Sequence, residues 1–543
     1  MLGIHIQVVD SLYPLAPSQQ KVALTVTETH LKWTDGQTET TLALESIVGA
    51  SHIMPITKTS TSKPFSLGVY CGKFFNRLAY TNIASMISPA PTGYWQINAL
   101  DLSKNEAGDM LKPVLRTIQF EAADASSATG TVNTLLDKMY PDRQGISFIV
   151  DCKSLLKKKI LFILNPYGGT KKAKKLFTTT VLPFMKMAGY GDHHQLIETQ
   201  HPGHAITIAN DLDVKNYKCA VTISGDGILH EFISGLFSRS DWNTARQLPV
   251  GTIGAGSANA MCKNMDMNFP ELGIITTLKG HTKPTDIFSF TQDNVRMFSH
   301  LLVMFAFVAD VDIGSEKYRY MGEIRLTLAA LVRLVKIRNY KAKLYVLTSE
   351  NGEKYKVDQT KQPMVAGLPT IYTSLGSTSY RDWPLQVDAY FQLFIASNFP
   401  WVSSEFLIAP LSKIDDGEMT VVWSENMGSM RVLKTLLNQE SGESLTYDAV
   451  KHTKALAFAI EPDAYTYQIP SSSVPEPSSS NAKNPSQKSR LGIMDVSGEK
   501  VSYSPIVVEV HTKMLNLVVP PWLDMGRWEK PFMEKYGSKL KPL

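Results

Sequence analysis

Ser224-Gly225-Asp226-Gly227 is the stretch of this sequence best suited to carry chemistry. It lies between Ala220 to Ile223, an apolar run that reads as a buried strand, and a helix-patterned stretch from Ile228. Two glycines permit a tight turn and let the backbone approach a phosphate, and the N–H groups that open the helix point the same way. An aspartate in that place repels phosphate. Its presence is better explained by a base, or a magnesium-associated carboxylate, in phosphoryl transfer. A plain Gly-Asp-Gly turn has the same letters, so this stretch alone leaves both readings open.

Two further glycine loops change the weight. Gly168-Gly169 follows the apolar run Ile160 to Leu164, and Gly254-Ala255-Gly256-Ser257 follows Leu248 to Ile253. Backbone N–H groups in such loops cradle phosphate oxygens, although the Gly-Lys-Ser/Thr ending of a Walker loop is missing. Strand, glycine turn and helix, three times over, predict a doubly wound parallel α/β sheet with its loops gathered at one edge. Farther on, Asp310, Asp312, Glu316 and Glu323 interleave with Lys317, Arg319 and Arg325. By itself that pattern reads as a charged helix face.

The elements around these residues give the organisation. A chain of 543 residues calls for two or three domains. Residues 1–145 read as mostly strand: Val22, Leu24 and Val26 alternate with polar residues, and Asp35-Gly36 marks a tight turn. Short apolar runs follow at Phe65 to Val69, Tyr94 to Leu100 and Arg116 to Phe120. A helix with Val132, Leu135, Leu136 and Met139 on one face, started at Ser126 or Ser127, closes the region. This is the layout of a pleckstrin-homology-like module. The α/β domain is expected over 155–290, and an antiparallel, sandwich-like β-rich domain over 291–520. The latter contains a helix with the stripe Ile324, Leu328, Leu331, Val332 and Val335. Residues 470–490 are rich in serine and proline and predict a disordered insertion; 521–543 form a C-terminal tail.

Bulk properties exclude several classes. A net charge of +5 is too small for a nucleic-acid footprint. The four cysteines, Cys71, Cys152, Cys219 and Cys262, have no metal spacing and read as free thiols in a reducing compartment. Met1 to Pro17 has no signal-peptide pattern, and the most apolar run, Phe298 to Ala309, is too short to span a bilayer. A cytoplasmic protein with reversible, peripheral membrane contact is expected.

Asn165-Pro166-x-Gly168-Gly169, Ser224 to Glu231 (SGDGILHE) and Gly256-Ser257-Ala258-Asn259-Ala260 resemble the first three blocks of diacylglycerol-kinase-type lipid kinases. The serine that opens the second block, His230-Glu231 after it, and the block Ala309 to Arg325 resemble the sphingosine kinase branch. Gly492-Ile493-Met494-Asp495 to Glu499 resembles the family's final Asp-Gly-Glu block, lengthened by two residues. The resemblance implies phosphorylation of the primary hydroxyl of sphingosine, or a related sphingoid base, by ATP with Mg2+. It makes Asp226 the base. Asn165, Gly168, Gly169, Thr199, Ser224, Gly225, Gly227, Gly256 and Ser257 would line the nucleotide phosphates, with Arg319 and Arg325 neutralising their charge. Asp312, supported by Glu316, would hold the substrate head group. Asp495 and Glu499 would serve the nucleotide or its hydrated magnesium, with no metal bound directly by the protein.

The resemblance has departures: Tyr167 stands where a basic residue is common, Lys171-Lys172 replace a small residue, and Ala258 replaces a glycine. Ceramide kinase, diacylglycerol kinase and a catalytically weak lipid-binding scaffold are the competing readings. Regulatory protein partners are expected on the N-terminal module or the 470–490 insertion.

Overall fold

The alternation at Val22, Leu24 and Val26 comes out as a strand in the computed structural model. It describes residues 3–9, 21–26, 30–35, 38–53, 93–105, 109–122, 130, 132–135, 138–140, 158–168, 171–191, 193–256, 259–321, 324–335, 337–361, 366–374, 377–425, 427–438, 440–463 and 492–540. The Phe65 to Val69 run, Ser126, Ser127, Leu136, Cys71, Cys152 and the 470–490 insertion lie outside that set. The chain divides into two units.

The smaller unit comprises Met1–Leu102, Pro113–Leu156 and Lys186–Gly191. Its strands are β1 (Gly3–Val9), β2 (Lys21–Val26), β3 (His30–Asp35), β4 (Thr38–Ala43), β5 (Ile47–Ile53), β6 (Gly93–Asp101) and β7 (Val114–Ala122). They form one antiparallel sheet in the order β4-β3-β2-β1-β7-β6-β5. Asp35 pairs with Thr38 across the hairpin that Asp35-Gly36 predicts. Residues 132–135 and 138–139 are helical and bury Val132, Leu135 and Met139. The Tyr140 hydroxyl donates to the Val48 carbonyl at 2.6 Å, tying the end of that helix to β5.

The larger unit is built on one mixed sheet. Its strands are β8 (Lys159–Leu164), β9 (His194–Glu198), β10 (Tyr217–Ser224), β11 (Val250–Gly254), β12 (Thr282–Gln292), β13 (Val295–Ser299), β14 (Leu302–Ala306), β15 (Tyr340–Leu347), β16 (Leu385–Ser397), β17 (Met419–Glu425), β18 (Val450–Ala455), β19 (Ala457–Pro462), β20 (Met494–Val496), β21 (Glu499–Val501) and β22 (Ile506–Val518). Continuous apolar runs make β8, β10 and β11 buried parallel strands, in the order β11-β10-β8-β9. The antiparallel part begins without a break near 290. β22 runs parallel to β11 and antiparallel to both β12 and β19, which joins the two kinds of pairing in one sheet. A core of Phe288, Phe305, Phe391, Phe394, Phe458 and their neighbours fills the antiparallel end.

Seven helices matter here: α1 (His204–Asp211), α2 (Asp226–Ser238), α3 (Ala260–Asn264), α4 (Phe307–Ser315), α5 (Ile324–Val335), α6 (Ser429–Leu437) and α7 (Glu529–Tyr536). α2 is apolar almost all round and buried from Ile228 to Phe237, as a helix packed on every side must be. α5 follows the predicted stripe, but the stripe faces outward. Ile324 is 64% exposed, Val332 72% and Val335 89%.

Candidate active site

Parallel strands bring their carboxyl ends to one edge, so the loops after β8, β9, β10 and β11 lie side by side. They border a cavity of about 450 Å³. The backbones of two loops touch: a Cβ on Gly256 would meet Gly225 Cα at 2.4 Å and Gly225 N at 2.8 Å. Only residues without side chains permit that approach. Asparagines fix the loop shapes. Asn165 Oδ1 accepts from the N–H groups of Tyr167 and Gly168, both at 3.0 Å. Asn259 Oδ1 accepts from Gly256 N at 2.9 Å, and its Nδ2 donates to the Gly256 carbonyl at 3.0 Å. Glu231 accepts from Gly203 N at 2.9 Å and Ala205 N at 3.1 Å, anchoring the start of α1 to the middle of α2.

Asp226 opens α2, and its carboxylate is shared with the next loop. Oδ2 accepts from Ala260 N at 2.8 Å and Oδ1 from Met261 N at 3.0 Å, both in the first turn of α3. Burial raises the Asp226 carboxyl above the ordinary aspartate value, the two amides pull it back, and the negative charge of Asp312 raises it further. A carboxylate that is fixed in direction and more basic than usual suits proton abstraction. Behind it, burial lowers His230 to about 4 and leaves its ring neutral against Phe290.

Asp312 stands at the centre of the acidic groups. Its Oδ1 accepts from Arg325 Nη2 at 3.1 Å, and its carbonyl from Arg325 Nη1 at 3.1 Å. Arg325 also donates to the Ser315 hydroxyl and is only 5% exposed. The guanidinium expected on a nucleotide thus spends these donors within the protein, locking α4 to α5. Asp495 sits directly opposite Met304 in the β14–β20 pair, on the same face of the sheet. It is fully buried, and its Oδ1 accepts from Gly498 N at 2.8 Å. Burial first, and the neighbouring Asp312 next, hold the Asp495 carboxyl well above the usual value.

A second cavity, of about 340 Å³, adjoins the first, and Met304, Asp312 and Val402 line both. Its other walls are mostly apolar, with Phe307, Val308 and Val311 of α4, Leu326, Ala330 and Leu331 of α5, Phe406, and Leu433 and Leu436 of α6; Thr327, Ser403, Glu405 and Glu440 are the polar residues among them. A carboxylate therefore stands where a polar, glycine-walled cavity meets an apolar one.

Of the residues expected in the site, Asn165, Gly168, Thr199, Ser224, Gly225, Asp226, Gly227, Gly256, Asp312, Glu316, Arg325 and Glu499 line the first cavity. Asp495 is not in its wall; it is fully buried and pairs across the strands with Met304, which is. Gly169, Ser257 and the side chain of Arg319 fall outside the described residues. Sequence reasoning gave no role to Glu231, Ser497 or Gly498, all of which line the cavity. Ser497 and Gly498, at φ 51° and 87°, form the two-residue turn between β20 and β21. The Ser-Gly pair itself was the available turn signal for it.

Comparison with known proteins bears on this geometry. Residues 159–290 match the diacylglycerol kinase catalytic domain. Sphingosine kinase 2 of Arabidopsis thaliana is 30% identical over 321 residues, 56% of this chain and 65% of that protein. Sphingosine kinase 1 of Homo sapiens is 30% identical over 322 residues, 56% of this chain and 82% of that protein. The chain belongs to the sphingosine kinase family. It spans 65% of the length of each of two Arabidopsis members, sphingosine kinases 1 and 2.

Proposed function

We propose that this protein transfers the γ-phosphoryl group of MgATP to the primary hydroxyl of a sphingoid base. The observation that carries the reading is the junction of the two cavities. Asp226 and the glycine loops lie on one side, an apolar slot lies on the other, and Asp312 stands between them. A cationic amino-alcohol with a long alkyl tail matches that junction. The neutral head groups of ceramide and diacylglycerol need no carboxylate there.

In this reading Asn165, Gly168, Thr199, Ser224, Gly225, Gly227 and Gly256 cradle the triphosphate through backbone and small polar groups. Gly169, Ser257 and Arg319 complete that set by resemblance. Asp312, held by Arg325 and supported by Glu316, takes the ammonium and hydroxyl groups of the substrate. Asp226 receives the hydroxyl proton as oxygen attacks the γ-phosphorus; a bond forms to the acceptor oxygen, and the bond to the β-phosphate oxygen breaks. Among the described residues no group of three His, Cys, Asp or Glu is placed to hold a metal. Glu499, in the wall of the first cavity, nonetheless offers a hard carboxylate donor of the kind hydrated magnesium accepts, whereas Asp495 is buried outside that wall. Magnesium bound with the nucleotide would neutralise phosphate charge. Catalysis then rests on positioning and on charge arranged in advance.

No helix among the described residues is long and apolar enough to cross a membrane. The exposed apolar residues of α5, with Met430 and Leu437 of α6, flank the second cavity and support peripheral membrane contact at its mouth. The order of the seven strands in the smaller unit supports a pleckstrin-homology-like regulatory module.

The test is phosphate transfer from labelled MgATP to sphingosine, ceramide and diacylglycerol in mixed micelles, comparing the wild type with Asp226→Asn. Sphingosine should be labelled selectively, and the variant should lose about 10²- to 10⁴-fold, the contribution of a positioned base. Labelling of ceramide or diacylglycerol instead would remove the role given to Asp312. Binding of sphingosine with transfer to no lipid would leave a lipid-binding scaffold.

A further inference from the structure

α3 has five residues, and its first two amides hold the Asp226 carboxylate. So short a helix has little stability of its own, and its place depends on what anchors its far end. That end is held by charge. Lys263 Nζ lies 3.0 Å from Asp109 Oδ1, and 4.5 Å and 5.4 Å from the ring centres of Trp401 and Trp528. Arg527 reaches Asp109 at 2.8 Å and Asp266, just past the helix, at 2.5 Å. Asp266 is 1% exposed, has Lys104 at 3.5 Å, and accepts from Met110 N at 3.4 Å.

Three distant parts of the larger unit meet there. Ser103–Lys112 forms a small arm, closed by the bridge between Lys104 and Met110. Arg527 and Trp528 come from the segment just before α7, and Trp401 from the loop after β16. Asn264 of α3 accepts from Trp401 N at 3.0 Å and donates to its carbonyl at 2.7 Å. Trp401 precedes Val402, a wall of both cavities.

We propose that Asp109, Lys263, Asp266 and Arg527 form an ionic clamp that positions Asp226 by holding α3 in place. These are positioning residues, and their catalytic meaning rests on Asp226 being the base. Released at its far end, α3 frays, and the amides of Ala260 and Met261 leave the carboxylate. Asp226 then loses direction, and also two hydrogen bonds that favour its ionised form, so it becomes more basic. Both the arm and the segment before α7 thereby bear on the reacting centre without touching it.

The test uses the full chain carrying Asp109→Asn, Asp109→Glu and Arg527→Lys. Arg527→Lys keeps the charge and loses the fork that reaches two carboxylates. Asp109→Asn should lower kcat about tenfold or more, as displacement of a reacting group does. KM for ATP and for lipid should stay within about twofold. The acid limb of kcat/KM should move to higher pH. Asp109→Glu should restore most of the rate, and Arg527→Lys should fall between. Amide hydrogen exchange in a peptide covering 259–267 should quicken in Asp109→Asn, while a peptide from β16 keeps its rate. Unchanged exchange in that peptide overturns the clamp, whether or not the enzyme reading survives. So does a fall in melting temperature and kcat with the acid limb unmoved, since that marks stability alone. If Asp109→Asn does not fold, Arg527→Lys carries the same readouts.

Discussion

In its proposed role as base, Asp226 must be ionised to take a proton, and its surroundings favour the protonated form. Its pKa is raised, so the group gains its proton at a higher pH than an ordinary aspartate does, and activity is lost as pH falls through that value. The acid limb of kcat/KM should therefore lie above 3.8, the ordinary value. A pH–rate profile with folding checked by circular dichroism measures it, and a limb at or below that value would show that burial does not govern this group. The sequence displayed this aspartate plainly, because Gly-Asp-Gly after a buried strand is a local pattern. It did not display what Asp226 faces. Ala260 and Met261, which hold its oxygens, lie more than thirty residues away. Arg325 shows the same limit: its position was legible, but its engagement with Asp312 and Ser315 depends on how α4 and α5 cross.

Loops and helices behave as units of a few residues, and the glycine loops were the most legible of them. What the sequence could not show is that two loops touch. A methyl group on Gly256 would lie 2.4 Å from Gly225 Cα, so Gly256→Ala must push the loops apart. The loss of stability should be about 1–3 kcal/mol, typical of an overpacked site. If these loops cradle the phosphates as proposed, KM for ATP should rise. Calorimetry and steady-state kinetics decide the matter, and wild-type kinetics in a folded variant would refute the contact. α5 is the opposite case. Its period was read correctly as a helix, but period alone cannot say whether a stripe faces a core, and this one faces outward.

At the scale of the whole molecule, the exposed side of α5 gives a test of membrane contact that leaves the chemistry aside. Val332 is 72% exposed and lines neither cavity. Val332→Glu should weaken binding to phosphatidylcholine–phosphatidylserine vesicles about tenfold or more, the scale of losing one buried apolar side chain. Transfer to sphingosine in micelles should stay unchanged, and equal vesicle sedimentation of both proteins would refute the surface. The mixed sheet was half legible. Strand-rich and α/β stretches were distinct in the sequence, but their fusion depends on β22, whose apolar run says nothing of its partners.

β22 also fixes when the molecule can finish folding. It completes the edges of β11, β12 and β19, yet it follows β11 by on the order of 250 residues. At ~5–20 residues per second, that is on the order of ten seconds or more of synthesis. Through that interval the strand that carries the Gly254–Gly256 loop has no neighbour on one side, and the nascent chain presents a bare apolar edge of the kind that recruits other chains. A ribosome that stalls before residue 506 would release a product whose parallel strands are all spelled out except the one that must cover β11.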